Sequence, residues 1–162
     1  MKKIIILFLT LLISTNAFAA GSDSSSSGSS EQSMYDEGIK LVERAGKLEK
    51  KDKLEKAKKL YSQAFKKLNT AYTSDKKNPD ILNYLGYTSR KSGNFTAAED
   101  YYLKGLSINP KHNGINEYLG ELYVATNRLD LAKERLKVLE NCNCEEYGEL
   151  KEIIEGTKKS KY

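Results

Sequence analysis

The sequence writes one phrase twice. Tyr84-Leu85-Gly86 recurs as Tyr118-Leu119-Gly120 at an offset of 34 residues, inside the windows NYLGYTSRKSGNFTAAEDYY and EYLGELYVATNRLDLAKERL. A fixed period of this length marks stacked copies of one small supersecondary unit, none of which can bury its apolar side alone. This constrains the fold more than any single residue does.

Laid in register, the copies agree at the positions that matter for packing. Gly93 aligns with Asn127, Phe95 with Leu129, Ala98 with Ala132 and Tyr102 with Leu136. Gly105 aligns with Leu139, Ile108 with Cys142 and Pro110 with Cys144, while Leu82 over Asn116 is a poor match. Each copy reads as two amphipathic helices. In the first of them Leu82, Leu85, Gly86 and Ser89 share one face at helical spacing. A glycine inside a helix costs about 1 kcal/mol against alanine. Gly86 and Gly120 therefore predict close helix–helix approach, with Ala98 and Ala132 as the small surfaces opposite. The boundaries agree. Asn78 is placed to cap, Pro79 stands at the first helical position, and Asp80 follows where the helix dipole favours an acid. Gly93 and Asn127, the residue types that best tolerate a left-handed helix end, separate the two helices of each copy. Pro110 stops the second helix.

NPDILNYLGYTSRKSGNFTAAEDYYLKGLSINP resembles the tetratricopeptide repeat along its whole length. The resemblance implies an all-α, right-handed α-solenoid of helix-turn-helix repeats closed by a C-terminal capping helix. It also implies a binding module, in which the first helices of successive repeats line a concave groove for a peptide or partner protein. Carried onto this sequence, the groove positions are Asn83, Tyr87, Arg90 and Lys91 in one repeat and Glu117, Tyr118 and Glu121 in the next. Family members that hold a chaperone's terminal carboxylate use a Lys/Asn/Arg set. Here Tyr87 and Glu121 stand where amide or basic groups are needed, so that ligand is not expected.

Upstream, a shift of 34 residues puts Ala64, Leu68 and Ala71 on Ala98, Tyr102 and Gly105, but puts Lys51 and Asp52 where Leu85 and Gly86 belong. The first helix of that repeat reads as displaced, to about Met34–Glu49 with Tyr35, Ile39, Val42 and Ala45 inward. Downstream, Tyr147, Leu150, Ile153 and Ile154 line one side of a short helix that would cap the open end, followed by a basic tail expected to fray after Gly156. The expected layout is a signal peptide at 1–20, a serine-rich disordered linker at 21–33, a divergent helical repeat at 34–78, full repeats at 79–112 and 113–146, and a capping helix with its tail at 147–162.

The first residues read as a targeting segment. Lys2 and Lys3 precede the apolar run IIILFLTLLI, and Ala17-Phe18-Ala19 forms a small-x-small cleavage site. The run is too short for a stable span, which takes about 20 residues. Export to a bacterial periplasm is the expected location, with no membrane span after cleavage. GSDSSSSGSSEQS offers nothing apolar to offset the cost of ordering it. Without the two leading lysines the formal charge falls from +5 to +3, and the remaining charges of both signs are interleaved. That pattern is a solvated helical surface and gives no nucleic-acid stripe.

Cys142 and Cys144 are the only cysteines. Export makes them candidates for a disulfide, in a small and strained ring. Passive thiols, with Cys142 at an inward position, are the alternative, and metal or redox chemistry is the third; two sulfurs without a nearby histidine fall short of a zinc site. His112, the single histidine, lies in an inter-repeat turn and reads as surface. No nucleophile–base pair, phosphate loop or metal-ligand cluster assembles, so neither enzyme activity nor a cofactor is expected. Besides partner binding, the repeat admits self-association, by end-to-end stacking or by swapping of the first helix.

Overall fold

The computed structural model describes residues 26–160, and every regular element among them is an α-helix. In chain order these are α1 (Ser26–Glu49), α2 (Leu54–Ser74), α3 (Pro79–Lys91), α4 (Phe95–Ile108), α5 (Asn113–Ala125), α6 (Leu129–Leu139) and α7 (Glu145–Ile154). They pack as the pairs α1–α2, α3–α4 and α5–α6, and α7 lies against both α5 and α6. The first helices neighbour one another in turn, α1 on α3, α3 on α5 and α5 on α7. The chain is an α-solenoid.

The expected signal peptide and residues 21–25 of the expected linker lie outside the described residues. α1 begins at Ser26, eight residues ahead of Met34, so residues 26–33 are helical where a disordered linker was expected. The reason is cooperativity. Residues from Met34 onward are anchored on α2 and α3, and extending an existing helix is far easier than starting one. Gln32 Nε2 also donates to Asp36 Oδ1 one turn on, at 2.9 Å.

The turns repeat one device. Asp52, Gly93, Asn127 and Gly156 have φ of 54°, 83°, 59° and 74°, each just past a helix end. In all four the next residue's N–H reaches the carbonyl five residues back: Lys53 to Leu48, Asn94 to Ser89, Arg128 to Tyr123 and Thr157 to Glu152. This is the Schellman cap, which satisfies carbonyls that a helix end leaves orphaned. Asn78 caps α3 as its sequence position suggests, its side chain accepting from the N–H groups of Asp80 and Ile81. His112 does the same for α5. Its Nδ1 accepts from the Ile115 N–H at 3.2 Å while Nε2 lies 2.9 Å from Asp80 Oδ1 on α3. The histidine expected at the surface thus tethers two repeats.

Gly86 and Gly120 mark tight crossings. Their counterparts are not the alanines, although Ala98 and Ala132 are wholly buried. A Cβ on Gly86 would strike the Tyr102 ring of α4, and one on Gly120 would strike Leu150 of α7. Each glycine is a notch filled by a large side chain. Gly38 of α1 is the same notch beneath Leu68 of α2, and it recasts the divergent repeat. Gly86 precedes Gly93, and Gly120 precedes Asn127, by seven residues; Gly38 precedes its turn residue Asp52 by fourteen. On the returning arm Leu68 follows Asp52 by sixteen residues, whereas Tyr102 follows Gly93 by nine. The first helix stands earlier than the repeat period requires, as expected, and arm length is the reason. Both arms are longer by two turns, so the hairpin tip overhangs α3–α4 by about 10 Å at 1.5 Å per residue. Ala45, Ala57 and Tyr61 form the overhang's own small core, with Val42, Leu48, Leu60 and Tyr87 packed against it.

Candidate functional site

The residues carried over as groove positions come from facing turns of α3 and α5, and the structure brings most of them together. Helical spacing puts Asn83, Tyr87, Arg90 and Lys91 on one side of α3, and Glu117 and Glu121 one turn apart on α5. Arg90 is the centre. Its Nη1 donates to Glu121 Oε2 at 3.0 Å, and both side chains are fully buried. The guanidinium lies between two aromatic rings, 5.3 Å from the Tyr87 centroid and 5.2 Å from that of Tyr118. The weak hydration of a guanidinium suits it to such a slot.

A row of tyrosines runs through this centre. Tyr61 meets Tyr87 edge-on at 5.8 Å, and Tyr87 meets Tyr118 at 5.1 Å. Burial first, then the carboxylates Glu117 and Glu121, push the Tyr118 hydroxyl well above the ordinary tyrosine range, against the opposing pull of Arg90. Burial likewise raises Tyr61, helped by Tyr87 and by Glu49, whose Oε2 accepts the Tyr61 hydroxyl at 2.9 Å. Both groups are held as neutral phenols.

Tyr87 was carried over as a groove position. It is half-buried and wedged among Tyr61, Arg90 and Tyr118, because the overhanging hairpin reaches across its face. Lys91 turns toward the same overhang, its Nζ 2.8 Å from Glu49 Oε1 and 5.7 Å from the Tyr61 ring centre. Asn83 turns the other way and covers Gly114 at the start of α5. Its Oδ1 is buried and accepts no hydrogen bond from the described residues.

Glu117 and Glu121 are buried at 4 % and 0 % exposure. Glu149 of α7 joins them, and the three carboxylates each bring an oxygen to within 4.8 Å of the others. Their i, i+4 pairing on α5 was legible in sequence; the third member, from another helix, was not. The tail beyond Gly156 was expected to fray. Instead the Schellman turn at Gly156 sends it back. Lys158 Nζ pairs with Glu149 at 3.1 Å and Glu152 at 3.7 Å, and Ser160 Oγ donates to Glu121 Oε2 at 3.3 Å.

Cys142 and Cys144 are bonded sulfur to sulfur at the α6–α7 turn, with Cα atoms 5.2 Å apart. They lie on different elements from the Arg90–Glu121 centre. Among the described residues no helix is long and apolar enough to cross a membrane.

Stacked helix pairs with contiguous first helices define a helical-repeat protein. The tetratricopeptide repeat family model matches residues 79–112, the α3–α4 pair. That match covers one of the three helix pairs, so the α3–α4 pair is a tetratricopeptide repeat within a helical solenoid. No curated protein matches it in sequence. Among solved structures it is similar to the Yersinia enterocolitica type III secretion chaperone SycD in complex with a peptide of the translocator YopD, at 19 % identity over 73 % of this chain and 86 % of that one, with a TM-score of 0.52. It is also similar to SycD alone, at 17 % identity over 73 % and 81 % of the two chains and a TM-score of 0.53. A tetratricopeptide repeat protein from Parabacteroides merdae aligns at 17 % identity over 75 % of this chain and 61 % of that one, with a TM-score of 0.51. At these identities the likeness is one of fold.

Proposed function

We propose that the chain is an exported interaction or scaffold module, and that the side formed by α1, α3 and α5 is a concave groove for a peptide or partner protein. The observation that carries the reading is the contiguity of the first helices, α1 to α3 to α5. Such helices set side chains of successive repeats next to one another on one continuous side of the solenoid. The fold likeness to a chaperone seen with a translocator peptide supports the same reading. Export rests on the sequence of residues 1–20. The role is binding and not catalysis.

The Arg90–Glu121 pair and the tyrosine row act as the groove's floor. They fix the angle between repeats, and ligands would be read by groups around them. The test is photocrosslinking in cells from an aromatic photoreactive residue replacing Tyr87, which keeps the ring. The control is the same residue at Leu103, which is 48 % exposed on α4. Selective products from position 87 are expected. Matching products from both positions sink the groove.

Self-association is favoured by a specific feature: Leu103, Ile108, Leu129, Leu131 and Val138 are large, apolar and exposed on the second helices α4 and α6. Light scattering on the mature chain decides it, and a monomer at micromolar concentration ends it. The bonded cysteines keep a thiol role open as a reading of another class. Thiol titration of protein taken from its native compartment, with and without reductant, tests it; two free, unreactive thiols end it.

A further inference from the structure

The overhanging tip of the first hairpin breaks local rules that the start of α3 keeps. Asn78 caps α3, with Pro79 and Asp80 behind it. At the matching place on α2 stands Lys53, which makes no side-chain cap, and Lys56 follows within the first turn. Both put positive charge at the positive end of the helix dipole, where it is disfavoured. Leu54, the first residue of α2, is 60 % exposed, more than any other large apolar side chain among the described residues. A tip that served only to extend the hairpin would gain from a capping residue at position 53 and a polar one at 54.

The charge is concentrated there. Residues 47–59 hold seven lysines and three acids, an excess of four in a chain whose whole formal charge is +5. All seven lysines are exposed. One of the acids, Glu49, is engaged by Lys91 and by the Tyr61 hydroxyl, which leaves Asp52 and Glu55 among the lysines. At 1.5 Å per residue, these lysines lie within about 8 Å of the turn along the hairpin.

Two independent features thus meet where the hairpin projects beyond α3–α4: a ring of long, flexible cations and an exposed leucine at its apex. An acidic protein would need only the cations. A bilayer answers both, since its headgroups carry negative charge and the hydrocarbon beneath takes up an apolar side chain. We propose that the α1–α2 tip docks on an anionic lipid surface, with the lysines of residues 47–59 over the headgroup phosphates and Leu54 inserted at the acyl boundary. The contact is peripheral and crosses nothing. Long lysine stems let the ammonium groups reach phosphates while their methylenes lie along the apolar boundary. The proposal goes beyond the groove reading and stands or falls without it.

The test is sedimentation with lipid vesicles of the chain starting at residue 21, which contains every described residue and lacks the apolar run of residues 4–13. Vesicles of equimolar phosphatidylglycerol and phosphatidylcholine should pellet the protein. Vesicles of phosphatidylcholine alone should not, and high salt should release the bound protein. Lys50→Gln/Lys51→Gln/Lys53→Gln should weaken binding by about tenfold or more. Lys76→Gln/Lys133→Gln/Lys137→Gln removes the same charge from exposed positions elsewhere and should bind like the parent. The chain has no tryptophan, so Leu54→Trp supplies a single reporter, and its emission should shift to the blue with the anionic vesicles only. Circular dichroism checks that each variant keeps the parent's helix content. Failure of the parent to pellet, or equal pelleting by both kinds of vesicle, overturns the proposal. Equal loss in the two triple variants means that net charge alone acts and overturns the tip. Unshifted emission from vesicle-bound Leu54→Trp overturns the insertion. Binding of labelled polyglutamate without binding of vesicles makes the partner an acidic protein and overturns the lipid. Crosslinking from position 87 judges the groove separately from all of these.

Discussion

Glycine substitutions separate packing from propensity at the level of single residues. Alanine normally stabilises a helix interior by about 1 kcal/mol relative to glycine. At Gly148 a Cβ would meet nothing within 4 Å, so Gly148→Ala should raise stability by up to about 1 kcal/mol. At Gly86 the same methyl meets the rigid Tyr102 ring, so Gly86→Ala should lower stability by about 1–3 kcal/mol. Urea unfolding measures both, and equal signs would contradict the notch. The buried ion pair calls for a paired design. Arg90→Leu takes away the buried partner of Glu121, whose side chain is 0 % exposed, at a cost of about 3–5 kcal/mol. Arg90→Leu/Glu121→Leu should cost less than the single change, since apolar replacement of both partners is often neutral. A double variant worse than the single would mean that the pair contributes net stability.

The helices make their own predictions. His112 holds the start of α5 and reaches Asp80 at the start of α3. His112→Ala should cost about 1–2 kcal/mol, and His112→Asn should recover the capping share while losing the link to Asp80. Lys91 of α3 ties down the overhanging hairpin through an ion pair with Glu49 at 2.8 Å. In Lys91→Ala, amide hydrogen exchange should speed up across residues 45–60 and stay unchanged in α5 and α6, because stacked repeats open locally. Uniform acceleration would show instead that the chain behaves as one cooperative block. This scale is also where the sequence was half legible. Repeat offsets of 34 residues located α2 to α6, since helix pairs of equal length keep their apolar faces in step. The extra turns of α1 and α2 broke that step, and Gly38 went unmatched because its partner notch stood fourteen residues earlier than the period required.

Across the whole molecule the tyrosines dominate the response to alkali. Burial, then Asp80, raises Tyr35 from 10.0 to about 12. Burial pushes Tyr61, Tyr84, Tyr101, Tyr118 and Tyr123 in the same direction. The folded form holds these protons more tightly than the unfolded chain. Their contribution is therefore fully present below pH 10 and is lost as pH rises through the folded values. Stability should decline from about pH 10 upward, and the tyrosinate absorbance of these groups should appear together with loss of helical circular dichroism. Tyrosinate signal equal to all eleven residues at full helix content would refute the buried row.

By itself the sequence determined the local grammar: a helical repeat, its caps, its turn residues, and the glycines that demand close approach. These depend on neighbours three, four or thirty-four residues away, and such spacings are written in the chain. Only the tertiary structure decided what the facing side chains do. It closed Arg90 on Glu121 between Tyr87 and Tyr118, and laid the first hairpin over Tyr87. It also brought Glu149 and the returning tail to the acids of α5. Those contacts join helices through the rotation of one repeat on the next and the length of each arm, and no periodicity within a single helix encodes either.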